Sequence, residues 1–164
     1  MTFNTRRSLL ALPLLLSLPR AFAHGEQHGK TGAVVKEQKP WGIAGEPARA
    51  RRTVDIRMTD DMKMAPNHID VREGETLRIR AINAGKVLHE IVIGTTDDLK
   101  AHAEMMKKHP GMEHDEPYMA HVSPGKRGEI VWTFNRPGNF EFACLIAGHF
   151  EAGMRGTIRV SPKP

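Results

Sequence analysis

The sequence predicts an all-β protein, an antiparallel Greek-key β-sandwich with one helical insertion. The first observation is a series of short segments in which apolar and polar residues alternate, with turn signals between them, a pattern typical of two packed sheets. The second is a single stretch after Gly94 in which the apolar period becomes helical. The third is length. Removing a 23-residue export signal from the 164 residues leaves 141, which suits one domain with a real core.

The predicted strands follow one another along the chain. Seven segments alternate in this way: 54–58, 69–71, 77–81, 87–93, 128–134, 140–144 and 156–160. Successive side chains of a strand point to opposite faces of a sheet, so every second residue is predicted to face the core. Turns are predicted at 72–75 and 83–85, where glycine lies among polar residues.

The helix is predicted between Gly94 and Pro110. Thr95 or Thr96 can cap its N-terminus. Acidic residues at 97 and 98 and basic residues at 107 and 108 suit the two ends of the helix dipole. The helix is therefore an insertion between two strands.

The insertion, about residues 96–122, is rich in methionine and histidine. Its members are His102, Met105, Met106, His109, Met112, His114, Met119 and His121. Thioethers and imidazoles suit copper, so Met112, His114, Met119 and His121 are predicted to be auxiliary ligands of weakly bound copper. The alternative is that these four line a polar loop, and it stays open.

Residues 1–23 are predicted to be a cleavable signal peptide. A basic start with Arg6 and Arg7 precedes an apolar run at 8–18 and a small-residue cleavage site ending at Ala23. Residues 5–10 also resemble a twin-arginine signal. The apolar run is far shorter than the about 20 residues that a membrane span needs, so the mature chain is predicted to have no such span. We expect a periplasmic protein.

Cleavage would leave a flexible segment, 24–50, and one domain, 51–162. The segment carries His24 and His28, which either belong to a solvated tail or form another auxiliary copper site. Cleavage of the signal would remove three of the 24 Lys and Arg residues. The mature chain would then have 21 basic residues and 19 acidic ones. This near balance, without a basic run interleaved with aromatics, excludes a nucleic-acid binder.

The chemistry concentrates in residues 144–154. Cys144, the one cysteine of the chain, is followed by His149 and Met154. A thiolate, an imidazole and a thioether suit copper better than zinc, and a trigonal copper site with a weak axial methionine needs one more histidine. His89 is the best donor, because alternation places it on an apolar face, as it places Cys144 on the face of the two preceding phenylalanines.

Each of these residues also has a plain structural interpretation. A lone cysteine is more often a small buried hydrophobe, and a histidine on an apolar face is usually a hydrogen-bonded core residue. We favour copper because the four residue types coincide at the right spacing. In addition, an unpaired thiol in an oxidising compartment is a liability unless a metal occupies it.

These motifs carry a resemblance to a known family. Residues 52–160 resemble the cupredoxins, the copper proteins related to plastocyanin and azurin, through Cys-x4-His-x4-Met with Phe-Glu-Phe-Ala before it and Gly-x-Ile-x-Val after it. The finer resemblance is to periplasmic CopI-type copper-tolerance cupredoxins, in the motifs at 58–62, 83–90, 110–117 and 148–154. It implies a cupredoxin fold and one type 1 copper centre with ligands His89, Cys144, His149 and axial Met154. Glu90 departs from plastocyanin-like members, which often have asparagine after the first ligand.

Two functions fit this resemblance. The first is copper tolerance, with binding and redox cycling of copper and with periplasmic redox or copper-efflux proteins as partners. The second is plain electron transfer between redox partners, which needs no extra copper ligands and so leaves the insertion unexplained. We expect no enzyme such as a copper oxidase, because Cys144 is flanked by Ala143 and Leu145 rather than by a histidine leading to a second copper. Slow Cu(I) oxidation by the single site stays open.

Overall fold

In the part of the chain that the structure describes, ten strands form two packed sheets. The computed structural model describes residues 36–110, 112 and 114–164. Their elements are β1 (Ile43–Ala44), β2 (Arg52–Thr59), β3 (Lys63–Ala65), β4 (His68–Arg72), β5 (Glu75–Asn83), β6 (His89–Gly94), α1 (Thr96–Lys108), β7 (Met119–Val122), β8 (Arg127–Phe134), β9 (Gly138–Ala143) and β10 (Arg155–Ser161). The predicted all-β sandwich with a helical insertion is confirmed.

The sheet topology differs from the prediction in one respect. The strand orders are β1-β8-β5-β2-β3 and β4-β10-β9-β6-β7. Most neighbours are antiparallel, but β2 pairs with β5 in parallel and β4 pairs with β10 in parallel. Both sheets are therefore mixed rather than purely antiparallel. Alternation cannot detect this, because a strand buries the same every-second residues whichever way its neighbour runs.

The core lies between the sheets, where the alternation placed it. Residues from both sheets form one apolar cluster. Its largest fully buried side chains are Ile56, Met58, Leu77, Ile79, Ile91, Ile93, Ile130, Trp132, Phe134 and Phe142. Burying one such side chain stabilises the fold by about 1.5–3 kcal/mol. This cluster gives the frame on which the candidate site is built.

Helix α1 covers the outer face of the second sheet. Leu99, Ala103 and Met106 pack there against Val92 of β6 and neighbouring apolar residues. Because the helix covers one face and the core covers the other, all six residues of β6 are buried. The Thr95 side chain accepts a hydrogen bond from the Asp98 amide, so the predicted N-cap is confirmed.

Three short strands were not predicted. β3 pairs with β2, and β7 lies inside the predicted insertion and pairs with β6; the sequence of β7, Met-Ala-His-Val, has no alternation that would reveal it. β1 pairs with β8, and the indole N–H of Trp132 donates to the carbonyl of Trp41 at 3.0 Å. Part of the segment predicted to be flexible is thus packed on the sandwich. No helix in the described ranges is both long and apolar enough to cross a membrane.

Candidate metal centre

Two neighbouring strands bring the first two candidate ligands to one end of the second sheet. β6 and β9 are antiparallel, with Val92 opposite Ala143, so the start of β6 lies beside the end of β9. His89 and Cys144 are both 0% exposed. Their burial follows from the alternation that predicted them on the inner face.

The loop after β9 returns to its starting point. The amide of Cys144 donates to the carbonyl of Met154 at 3.0 Å, and the amide of Met154 donates to the carbonyl of His149 at 3.1 Å. Gly148 and Gly153 have φ of +88° and +87°, a conformation that side chains with a Cβ rarely adopt. These two glycines therefore allow the loop to turn tightly enough to bring Met154 back to Cys144.

Three donor atoms converge in this pocket. The ligand atoms of His89, Cys144 and His149 lie within 4.8 Å of one another, the one such group of three found in the described part of the chain. Sγ of Cys144 is 3.3 Å from Nδ1 of His149, and the two imidazole centroids are 5.1 Å apart. Met154 is 0% exposed and belongs to the same core cluster as Cys144.

The chemistry of the donors fits a soft metal ion. Nδ1 of His89 is buried without a hydrogen-bond partner, which is costly unless a metal takes its lone pair. Sulfur and imidazole nitrogen together are the donors that copper prefers. The residues present therefore fit copper.

Asp60 orients His89. Its Oδ1 lies 3.1 Å from Nε2 of His89, and its Oδ2 accepts a hydrogen bond from the amide of Lys86 at 2.8 Å. The backbone amide of Lys86, followed by His89, lowers the pKa of Asp60, so the carboxylate is ionised at neutral pH. Because an ionised carboxylate only accepts, Nε2 carries the ring proton and Nδ1 keeps its lone pair.

The turn before β6 holds Asp60 and His89 in place. The buried Asn83 side chain donates to the carbonyls of Val87 and Val122 at 2.8 and 2.7 Å and accepts from the amide of Gly85 at 2.8 Å. A Cβ at Gly85 would lie 1.8 Å from Oδ1 of Asp60. Glycine is therefore required for the approach of the carboxylate.

Sequence reasoning did not assign a role to Asp60. The residue lies in the motif at 58–62, and the acidic pair at 60 and 61 is the signal within that motif. The signal could not distinguish the residue that meets His89 from its neighbour, because the contact depends on how β2 lies beside the turn at 83–85.

Burial sets the protonation of the two remaining donors. It raises the pKa of the Cys144 thiol to about 12, so the metal-free residue is a thiol at neutral pH. Burial also lowers the pKa of His149, and the neighbouring imidazole of His89 lowers it further, so the His149 imidazole is neutral at pH 7. The Glu90 amide donates to Sγ of Cys144 at 3.4 Å, and Oε1 of Glu90 accepts from the amide of Leu145 at 2.8 Å.

The two methionines predicted to be auxiliary ligands differ in burial. Met119 is 2% exposed and belongs to the apolar cluster under α1 with Met106. Met112 is 37% exposed. Met119 thus packs in the core under α1, which the sequence pattern of the insertion did not reveal, and the auxiliary role of both methionines remains a prediction.

The histidines predicted with them lie beside other polar side chains. The ring of His114 is 4.9 Å from that of His102, and Nε2 of His121 is 2.9 Å from Oε2 of Glu90. His24, His28 and the predicted signal peptide lie outside the described residues, so these remain predictions.

Comparisons with known proteins match this chain to copper-binding proteins. A family model described as copper-binding proteins of the plastocyanin/azurin family matches residues 50–161. The copper-resistant cuproprotein CopI of Rubrivivax gelatinosus is 45% identical over 158 residues, covering 94% of this chain and 96% of that protein. The protein of the same name from Vibrio cholerae is 31% identical over 167 residues, covering 94% and 99%.

A solved structure supports the fold. The dithionite-reduced auracyanin of Roseiflexus castenholzii matches with a TM-score of 0.59 at 23% identity, covering 69% of this chain and 99% of that chain. At this identity the likeness bears on the fold alone.

Proposed function

The chain belongs to the plastocyanin/azurin family of copper-binding proteins, and on that premise we propose that it is a periplasmic copper-tolerance protein with one type 1 copper centre. The observation that carries the proposal is the convergence of His89, Cys144 and His149 within 4.8 Å. The tolerance role is supported by the relatives from Rubrivivax gelatinosus and Vibrio cholerae, which match nearly the whole chain and are named copper-resistant cuproproteins.

The proposed ligands are His89, Cys144 and His149, with Met154 as a weak axial donor. Nδ1 of His89 is the nitrogen that lacks a partner, and Nδ1 of His149 is the one beside Sγ. Met154 is placed near both other loop ligands by its backbone hydrogen bonds. Two imidazoles, one thiolate and an axial thioether are the donor set of blue-copper electron-transfer sites.

Copper bound here would supply one-electron cycling between Cu(I) and Cu(II). The chain supplies a rigid frame for its ligands and excludes water from Cys144 and His89, which are 0% exposed. His149 is partly exposed and offers an edge where electrons can enter. Val87 and Leu88, 44% and 36% exposed, precede β6 and can contact a redox or copper-efflux partner. We propose no enzymatic activity.

A deletion strain tests this function against simple electron transfer. The strain should be sensitive to copper while its respiration is normal, and the wild-type gene should restore tolerance. Cell fractionation should place the protein in the periplasm. Normal copper tolerance with impaired respiration would reject the tolerance role and favour an electron carrier.

Replacing Asp60 with asparagine is expected to raise the reduction potential. A carboxylate on Nε2–H makes His89 a stronger donor, which favours Cu(II), whereas an amide accepts the same hydrogen bond without the charge. If Cu(II) binding weakens about tenfold more than Cu(I) binding, the potential rises by about 59 mV. Voltammetry measures this shift.

Asp61→Asn is the matched control, because this aspartate is adjacent in sequence but pairs with Lys63. Its potential should change much less than that of Asp60→Asn. Equal shifts in the two variants would mean that only surface charge acts, and the orienting role of Asp60 would be rejected.

Replacing Met154 with leucine is expected to leave copper bound but to change its colour and raise its potential. The swap conserves volume, so the core should tolerate it. A weak axial donor contributes little to affinity but tunes the redox potential. Optical spectra, voltammetry and metal analysis check this, and complete loss of copper would contradict the axial role.

A further inference from the structure

A second group of donors lies on the outer face of the same sheet, under α1. Glu90 and His121 face each other across β6 and β7, with Oε2 of Glu90 2.9 Å from Nε2 of His121. Glu90 is 0% exposed, and its Oε2 accepts no well-aligned hydrogen bond. A buried carboxylate oxygen in this position needs a cation or a donor.

Two further imidazoles lie close by. His102 of α1 and His114, in the segment after the helix, have ring centroids 4.9 Å apart. Nε2 of His102 and Nδ1 of His114 are buried without hydrogen-bond partners. Burial lowers the pKa of His102. The neighbouring imidazoles of His114 and His121 lower this pKa further, whereas the carboxylate of Glu90 raises it.

Ala103, the neighbour of His102 on α1, packs in one cluster with Val92, which lies on the same face of β6 as Glu90. This packing places His102 beside Glu90 and its partner His121. The His102 imidazole is mostly neutral at pH 7, because its pKa is lowered.

Three buried atoms without hydrogen-bond partners, Oε2 of Glu90, Nε2 of His102 and Nδ1 of His114, can be satisfied by one shared metal ion. Each buried polar atom without a partner costs about 1–3 kcal/mol, and a metal ion can accept lone pairs from all of them. We propose that Glu90, His102, His114 and His121 bind a divalent transition-metal ion, Zn(II) or Cu(II). Three imidazole nitrogens and one carboxylate oxygen suit both ions, and the absence of sulfur from this set disfavours Cu(I).

Binding requires a local rearrangement. Donors about 2.0–2.1 Å from a tetrahedral ion lie about 3.3 Å from one another. Oε2 of Glu90 and Nε2 of His121, 2.9 Å apart, already lie close to this separation. The four groups together do not, because the one triplet within 4.8 Å in the described ranges is that of the first centre. The site closes by rotation of the side chains of His102 and His114, both partly exposed.

Glu90 connects this site to the first centre. Its amide donates to Sγ of Cys144 at 3.4 Å, while its Oε1 accepts from the amide of Leu145 at 2.8 Å. A cation on Oε2 would polarise this residue and strengthen the hydrogen bond to sulfur. Occupancy of the second site should therefore move the sulfur-to-copper absorption band to higher energy. Metal binding at the second site does not itself depend on the proposed copper-tolerance function.

Zinc titration of the mature protein tests the site. The protein is first loaded with one equivalent of copper and then titrated with Zn(II) against a chromophoric zinc chelator, and bound zinc is counted by mass spectrometry. The double variant His102→Gln/His114→Gln removes two partly exposed ligands and leaves the buried Glu90 in place. His68→Gln is the control, an exposed histidine on β4 at the opposite edge of the sheet.

The double variant should hold one zinc ion fewer per chain than wild type and His68→Gln, or bind it at least about tenfold more weakly, with unchanged circular dichroism. The absorption band should shift on zinc addition in wild type and not in the double variant. Equal zinc binding by the double variant and the control, or no zinc binding by wild type, would overturn the site. If the copper-loaded protein shows no strong band at all, the first centre is rejected, while the zinc count still decides the second.

Discussion

Replacing Cys144 with serine is expected to abolish the strong visible absorption of the copper-loaded protein. The band arises from charge transfer between thiolate sulfur and copper, and a serine hydroxyl supplies neither sulfur nor, at neutral pH, an anion. Copper affinity at this centre should fall by more than the about 10–100-fold that follows loss of a supporting residue. Titration under a competing chelator, with optical spectra, measures both effects.

The variant must be shown to fold, because Cys144 is 0% exposed. A buried hydroxyl without a good partner costs about 1–3 kcal/mol, so its thermal unfolding should be compared with that of wild type. Met154→Leu serves as the paired variant, since it alters the same loop and should keep the band. A strong band in folded Cys144→Ser would show that this residue is not a ligand.

The elements that sequence reasoning predicted correctly depend on local signals. Thr95 caps α1 because its side chain reaches an amide three residues ahead. Phe142 is buried because alternation fixes the face of a strand. The parallel pairing of β2 with β5 has no local signal, because it is set by how the connections cross between the sheets.

Among the contacts around the candidate site, those within one segment could likewise be predicted from the sequence, whereas those between distant segments could not. Cys144, His149 and Met154 lie on one loop, so their spacing alone brought them together. The contact of Asp60 with His89 joins residues far apart along the chain. The contact between Glu90 and His121 depends on the register of β6 with β7. The sequence of β7 shows no apolar alternation from which this strand could be predicted. Such contacts follow from the assembled fold rather than from any single segment.

Copper affinity is expected to rise about tenfold for each pH unit between pH 7 and pH 9. Burial raises the pKa of Cys144 to about 12, so the metal-free residue carries its proton throughout this range. Copper binds the thiolate, so binding releases the thiol proton of Cys144. A higher pH therefore favours the copper-bound form. His149 adds no second proton, because its pKa lies below the ordinary value of 6.5. The total gain is about 100-fold, or about 2.7 kcal/mol.

Anaerobic titration with Cu(I) against a chelator of known pH dependence measures this slope, since Cu(I) does not oxidise the thiol. Proton release in weakly buffered solution with an indicator gives a second, independent value of one proton per copper ion. Cys144→Ser is the control, because it has no thiol proton to lose and any remaining binding should show no such slope. A slope near zero in wild type would mean that Cys144 is already a thiolate without metal. In that case the apolar surroundings of β6 and β9 would not control its protonation, and a positive charge or hydrogen-bond donor near Sγ would have to stabilise the anion instead.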